Sequence, residues 1–480
     1  MIKENNPQNE MEFVTIESLV PENHLLRKIS KSIDFSFIRE KTKDLYCLNN
    51  GRPGVDPVML FKMLFIGYLF GIRSERQLIR EIEVNVAYRW FLGLGLTNKI
   101  PHHSTISQNR RRRFSESNIY QEIFDEIVYR AIRDKLVDGE VLYTDSTHLK
   151  ANANKGKFKK RRVKHMTRSY LESLEKEVKE DRELHGKKEL PKREKKDDEG
   201  KEIKESTTDP ESGYLSREGK PRGFYYLDHR TVDGRSNIIT DTYVTAGNVH
   251  DSIPYLDRLD YQISHYGFEV KAVGLDAGYF TGSICKGIEE RGIYGVIGYN
   301  RPKGKKNYFR KRDYEYDKEK DQYRCPAGKI LRYRTTNRSG YKEYVSDPSV
   351  CNQCVFLRNC TMSKNNIKVV SRHVWEGYKE KIDKHRLDDK GKRIYSKRKE
   401  TVERSFADAK QLHGHRYARM RGLEKVREQC YLAAACQNMK KIASYLIHPN
   451  LLSKLLVKLQ HYYRITFQRA CLEKNLILCK

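Results

Sequence analysis

Two short β-rich runs, each closed by an aspartate and set far apart in the chain, constrain this sequence most. Residues 141–144 (VLYT) lead into Asp145, and residues 271–275 (KAVGL) lead into Asp276. Between them, residues 224–232 (FYYLDHRTV) and 237–245 (NIITDTYVT) are strand signals joined through Asp233-Gly234, a dipeptide suited to a hairpin turn. A helical stretch follows from Ser252, another runs from Thr281 to Arg291, and residues 294–298 (YGVIG) give a last short strand. The order from Gly139 is therefore strand, insertion, hairpin strands, helix, strand, helix, strand. A mixed sheet with helices on its faces accommodates that order. The fold class is α+β, with the sheet domain expected over residues 136–298 and resuming over 386–448.

The first 135 residues carry a different pattern. Leu60, Leu64, Tyr68 and Leu69 recur at helical spacing after Pro57, and Ser74 is placed to cap a second helix through Ile82 and Tyr88. A third helix is expected from Ser104-Thr105 through Gln108, Asn109 and the run Arg110, Arg111, Arg112, Arg113. Short helices ending in a basic, amide-bearing one resemble a helix-turn-helix, whose side chains contact bases and phosphates. The competing reading is a solvated basic face. At 480 residues, two or more domains are expected. Lys and Arg number 94 against 64 Asp and Glu, a formal charge of +30, which implies a polyanionic partner. The longest apolar stretch, residues 57–71, is short and broken by Lys62, so no membrane span is expected. With no signal-peptide pattern at the start, the expectation is a cytoplasmic protein that handles nucleic acid.

Two segments interrupt the sheet pattern. Residues 155–220 are dominated by charge and read as a solvated insertion with one surface helix near residues 170–178. Residues 299–385 are basic and Tyr-rich, and hold Cys325, Cys351, Cys354 and Cys360 in the spacing C-x25-C-x2-C-x5-C. Four soft ligands of this kind suit a structural Zn²⁺, and Cys325-Pro326-Ala327-Gly328 reads as a turn presenting a sulfur. Four reduced thiols are the alternative. Lys303, Lys305, Lys306, Arg310, Lys311 and Arg312 precede the cluster and could face DNA. A basic tail, 449–480, closes the chain.

Phosphodiester cleavage needs an attacking oxygen activated and a leaving oxygen stabilised. Two Mg²⁺ ions held by carboxylates do both. Sequence-distant acids reach one site when neighbouring strands present them at a sheet edge and a packed helix adds another. Asp145 and Asp276 end strands, and Glu403 lies in YSKRKETVERSFADAK, where Tyr395, Lys399, Glu403, Phe406 and Lys410 would share one stripe of a helix. His250-Asp251 could ligate metal, but Asp251 and Ser252 read better as the cap of the following helix.

Together, TDSTHLKANANK, the block from FYYLDHRTV to NVHD, GLDAGY and the YxxR…ExxxxxxK helix resemble the cut-and-paste transposases of bacterial insertion sequences, the DDE class with a Tyr-Arg-Glu-Lys signature. The resemblance covers most of the chain, with four segments in the family's order. It implies an RNase H-like catalytic domain and two Mg²⁺ (or Mn²⁺) ions. Asp145 and Asp276 would hold both ions and Glu403 would complete one site. Water would attack at the element's end, and the freed 3′-hydroxyl would later attack target DNA. Tyr395, Arg398 and Lys410 would position terminal phosphates. The partner implied is double-stranded DNA, both the terminal inverted repeats and the target, bound by a dimer in a bacterial nucleoid. One departure stands out: the family places three residues between Arg and Glu, whereas four separate Arg398 from Glu403. Lys399 sits at the usual offset, which leaves Arg398 and Lys399 in competition. A catalytically silent, transposase-derived DNA-binding protein is the competing function, and an RNase H-like nuclease a third.

Overall fold

The computed structural model describes residues 13–47, 54–163, 168–191, 201–216, 221–299 and 307–447. The basic tail and Lys303, Lys305 and Lys306 lie outside them. The chain is a mixed α+β protein, helical at the N-terminus, and divides into two compact units. One comprises residues 1–138, 235–244 and 404–480; the other comprises 139–234 and 245–403. Among the described residues no helix is long and apolar enough to cross a membrane.

In the first unit, Asp56 caps the helix Pro57–Leu69 by accepting the Val58 N–H, and proline occupies its first turn. Ten of this helix's residues are buried, including Phe61, Phe65 and Ile66, so it is apolar on every side and runs through the core. It packs against the long helix Leu423–Ile447, whose Cys436 thiol donates to the Phe65 carbonyl. Ser74 caps Glu75–Val84 through the Gln77 N–H, as the sequence suggests. The helix expected to continue through Tyr88 instead breaks at Asn85. Its side chain accepts the Tyr88 N–H and starts a new helix, Val86–Leu92. The arginine run ends the helix His103–Arg112, which begins one residue before Ser104 and is capped by His102.

The strands are β1 (Val141–Lys150), β2 (Phe158–Val163), β3 (Lys201–Ser206), β4 (Gly213–Leu215), β5 (Gly223–Asp233), β6 (Ile239–Ala246), β7 (Ala272–Leu275) and β8 (Tyr294–Ile297). β6 belongs chiefly to the first unit. In the second unit the central sheet runs β4-β5-β1-β7-β8. β1 is antiparallel to β5, with Asp145 opposite Arg230, and parallel to β7, with Thr144 opposite Leu275. β7 and β8 are also parallel. All four residues of β7 are buried, as both-sided burial of a central parallel strand requires. Helices Tyr255–Tyr266, Gly282–Glu290 and Glu376–Leu387 bury Leu259, Ile284, Ile288 and Ile382. The helix Asp389–Lys397 packs on β7 and β8.

Two corrections concern the insertions. The segment 155–220 is not simply solvated: β2 and β3 pair antiparallel, and the helix Arg168–Leu184 buries Leu174 and Val178 against Trp375. The Cys-rich segment forms its own antiparallel sheet, β9 (Glu315–Asp317), β10 (Gln322–Arg324), β11 (Ile330–Thr336), β12 (Tyr341–Ser346) and β13 (Val369–His373). Tyr314, Tyr323 and Tyr344, with Leu331 and Val370, form its small core. The two insertions are joined. Arg182 donates to Thr335 Oγ1 at 2.9 Å and to the Thr336 carbonyl at 2.7 Å, and His185 Nε2 lies 2.6 Å from Asp321 Oδ2.

Candidate active site

β1 does not end at Asp145, as expected, but continues to Lys150 against β5. The carboxylate is nevertheless presented at an opening, because β7 ends at Leu275, the partner of Thr144 in the last β1–β7 pair. Asp276 follows at once and leads into the single turn Ala277–Tyr279. Two parallel strands thus part between Asp145 and Asp276, the kind of carboxyl-end crevice in which α/β sheets bind ligands.

The third acid reaches this crevice through a break that the sequence pattern hides. The stripe from Tyr395 to Lys410 is not one helix. Asp389–Lys397 ends, and Val402–Leu412 begins after four intervening residues, with Glu403 in its first turn. Across the break the Glu403 N–H donates to the Arg398 carbonyl at 3.2 Å, an i→i−5 bond with one residue more than a helical turn holds. Thr401, almost fully buried, ties the break down by donating its hydroxyl to the Lys397 carbonyl at 2.9 Å. This bulge absorbs the fourth residue between Arg398 and Glu403.

Arg398 is 4% exposed, and its guanidinium lies among all three acids. Nη2 is 2.7 Å from Asp145 Oδ2; Nη1 is 3.7 Å from Asp276 Oδ1 and 4.0 Å from Glu403 Oε1. Burial pushes the Asp145 carboxyl up to about 6, with Arg398 and the Ser146 N–H opposing and the charges of Asp276 and Asp251 adding to the rise. Asp276 and Glu403 are half-exposed. Tyr395 lies 5.5 Å from the Arg398 guanidinium, measured to the ring centre. Lys399 is exposed, and Lys410 lies seven residues beyond Glu403 on the helix Val402–Leu412, half-buried. The structure thus brings together Asp145, Asp276, Glu403, Arg398 and Tyr395, and leaves Lys399 outside.

Sequence reasoning misassigned Asp251. The following helix starts at Tyr255 with no side-chain cap, and the turn before it is held by His250, whose Nδ1 accepts the Ser252 N–H at 3.3 Å. Asp251 instead has a buried Oδ1 without a hydrogen-bond partner, and its charge is felt by Asp145 and Tyr279. No spacing rule would have found it, because the feature is an electrostatic neighbour across the fold.

The arginine run divides. Arg110 is turned inward, ion-paired with Glu75 and, through Nε at 3.2 Å, with Glu428. Its charge is thereby matched by the partly buried Glu75 and the buried Glu428. Arg113 stacks 3.9 Å over the Tyr46 ring and donates to Asn109. Arg111 and Arg112 are exposed. Arg310 and Arg312 are exposed beside the Cys-rich sheet, where Lys311 pairs with Glu376 at 2.8 Å.

The four cysteines line one cavity of about 480 Å³ with Tyr314 and Lys368. The Lys329 N–H donates to Cys325 Sγ at 3.3 Å across the expected Cys-Pro-Ala-Gly turn, and Cys360 Sγ lies 3.1 Å from the Tyr314 hydroxyl. Among the described residues, no three of these sulfurs lie within 4.8 Å of one another.

No curated protein matches the chain. Two family models do. Residues 14–112 match Transposase domain (DUF772), and residues 324–443 match Transposase DDE domain. The second match contains the four cysteines, Arg398 and Glu403, while Asp145 and Asp276 lie outside both. With one match in the N-terminal helices and the other around the Glu403 helix, the two family models support a DDE-class transposase of insertion-sequence type.

Proposed function

We propose that this transposase is catalytically active, cutting DNA at the ends of its element and joining the freed ends to target DNA. The observation that carries the reading is the convergence of Asp145, Asp276 and Glu403 on one guanidinium, although the chain between successive acids is well over a hundred residues long. Three hard oxygen ligands at the mouth of a parallel-strand crevice suit Mg²⁺ or Mn²⁺. In this reading Asp145 and Asp276 hold two ions and Glu403 completes one site. When bound, such ions activate the attacking oxygen and stabilise the leaving one. Asp145 must then be charged, and its burial makes that dependent on the incoming cation. Arg398 and Tyr395 orient the phosphate, Arg398 through the charge-assisted, forked hydrogen bonds that guanidinium makes to phosphate oxygens. Lys399, Lys410, Arg111 and Arg112 bind the DNA backbone.

We further assign an RNase H-like catalytic domain to residues 136–298 and 386–448. In support, β1 is antiparallel to β5 and parallel to β7, with the acids where β1 and β7 part. Double-stranded DNA is the substrate, and a dimer on DNA follows from the need to handle two ends together. The cysteines are assigned to a structural Zn²⁺. In support, the four thiols line one cavity and are the soft donor set that a structural Zn²⁺ takes. Protein purified without chelator should then hold about one equivalent of zinc, and less than half an equivalent would count against the assignment.

Strand-cleavage and strand-transfer assays with Mg²⁺ on the cognate ends test the central reading. Asp145→Asn, Asp276→Asn and Glu403→Gln should each abolish cleavage while end binding survives. Cleavage retained in any one variant removes that residue from the site. Absence of cleavage by the wild-type chain would favour the silent DNA-binding protein.

A further inference from the structure

We propose that Arg398 is the resident counter-cation of the metal-free site, holding the three acids together and withdrawing from Asp145 when divalent cations enter. The inference rests on the reading of those acids as cation ligands, and adds how the empty site is kept folded and what filling it requires.

Three carboxylates meeting at one crevice repel one another, and a partly buried cluster is screened only weakly. A cation must offset this before any metal arrives. The neighbouring lysines do not supply it: Lys397 donates to the Gly234 carbonyl, and Lys399 is exposed. Arg398 alone of this trio turns inward, and it is nearly fully buried. Its guanidinium occupies ground that cations would need. A Mg²⁺ sits about 2.0–2.1 Å from each carboxylate oxygen, and Nη2 already stands 2.7 Å from Asp145 Oδ2. A hydrogen bond at that distance and a metal bond compete for the same oxygen. Around the guanidinium, no oxygens of Asp145, Asp276 and Glu403 lie mutually within 4.8 Å.

The seat is not a saturated one. Arg398 Nε is buried and has no hydrogen-bond partner, so one of the five donors is unspent in this position. Two of its three acidic neighbours are reached only at 3.7 and 4.0 Å. An arginine fixed for structure alone would satisfy its donors more fully. One that exchanges between the acids and an incoming phosphate need not. The i→i−5 bulge gives this residue a backbone position outside the regular helical ladder, where its carbonyl is held by Glu403 and Thr401.

The experiment is Mn²⁺ binding to the full-length protein without DNA, followed by electron paramagnetic resonance, with thermal melting in chelator and in excess Mn²⁺ as a second readout. Arg398→Gln should bind Mn²⁺ about tenfold tighter than wild type, because no resident cation has to leave. It should also melt lower in chelator and regain most of that loss in Mn²⁺. Arg398→Lys, which keeps a charge but not the fork, should fall between the two. Asp145→Asn, run in parallel, should lose Mn²⁺ binding. If Asp145→Asn binds like wild type, the acids are not the cation site and both readings fall. If Asp145→Asn loses binding but Arg398→Gln binds no tighter than wild type, the cation site stands and the counter-cation role is overturned. Should Arg398→Gln not fold, Arg398→Lys binding Mn²⁺ no differently from wild type would overturn it equally.

Discussion

Truncating Arg110 to alanine would strip a buried guanidinium from Glu75 and Glu428 in the helical unit. Removing one partner of a buried ion pair costs roughly 3–5 kcal/mol, because the other charge is left uncompensated. Glu428 makes that loss depend on pH. Burial already pushes its carboxyl from 4.5 up to about 7, with Arg110 opposing the rise. A carboxyl raised on folding contributes stability that is full below the unfolded value and is lost as pH rises through the folded one. In the wild type that window runs from about 4.5 to about 7, some 2.5 units, or about 3 kcal/mol at 1.36 kcal/mol per unit. Without Arg110 the folded value climbs further and the window extends upward. The variant should therefore lose more stability at pH 8 than at pH 5.5. At roughly 2–4 °C per kcal/mol for a unit of this size, the loss at pH 8 is on the order of 6–20 °C. Melts of both proteins followed by far-UV circular dichroism at the two pH values measure it. The Arg111→Ala, Arg112→Ala double variant is the control. It should melt like wild type yet flatten the salt dependence of DNA binding, by up to about 0.9 in the logarithmic slope for each phosphate no longer neutralised. A variant lacking Arg110 that melts within a degree or two of wild type at pH 8, or that loses more at acid pH, would refute the reasoning.

At limiting Mg²⁺, cleavage should fall as pH drops through about 6, because a metal ligand must be ionised and Asp145 is not below that value. Asp251→Asn should move this midpoint to lower pH, since the Asp251 charge helps to raise Asp145; a midpoint unmoved or moved upward would contradict the placement of Asp251. Gly298→Ala would bring a methyl group to 2.6 Å from Tyr395 Oη and 2.9 Å from the Ala277 N–H, displacing the turn after Asp276. Cleavage should drop about a hundredfold in single-turnover assays with little change in melting, the scale on which a shift near 1 Å acts. Trp375→Ala should destabilise by roughly 3–5 kcal/mol in urea titrations, being a fully buried indole between two segments.

Much of the sheet could be read before its geometry was known, for a simple reason. A strand such as β7, buried on both faces, must be an unbroken apolar run, and the aspartate that closes it stands out against that run. The helix start marked by Ser74 was legible because capping is local chemistry. What stayed hidden depends on neighbours distant in sequence. Nothing within residues 141–150 says that β5 continues past the point where β7 stops, so Asp145 reads as a strand end although it lies mid-strand. The turn between Lys397 and Val402 is disguised by residues that all suit a helix, and only the buried seat of Arg398 makes the bulge worth forming. Arg110 shows the converse. Four successive arginines look alike in sequence, and a single inward-facing pair of glutamates, one of them more than three hundred residues away, sets one apart.

The union of the two insertions through Trp375, Arg182 and His185 has a consequence for how such a chain can change over time. Residues 168–184 and 307–375 enter at separate points of the central sheet's sequence, yet each covers an apolar or hydrogen-bonding surface of the other. Loss of the helix and the turn after it would uncover Trp375 and take His185 from Asp321 and Arg182 from the end of β11. Loss of the Cys-rich sheet alone would strand Leu174 and Val178 in water. Each deletion is harmful singly, while both together would leave the five central strands with their pairing intact. Relatives that differ in these segments should therefore carry both or neither, and a hybrid built by exchanging only one should fail to express as a soluble protein.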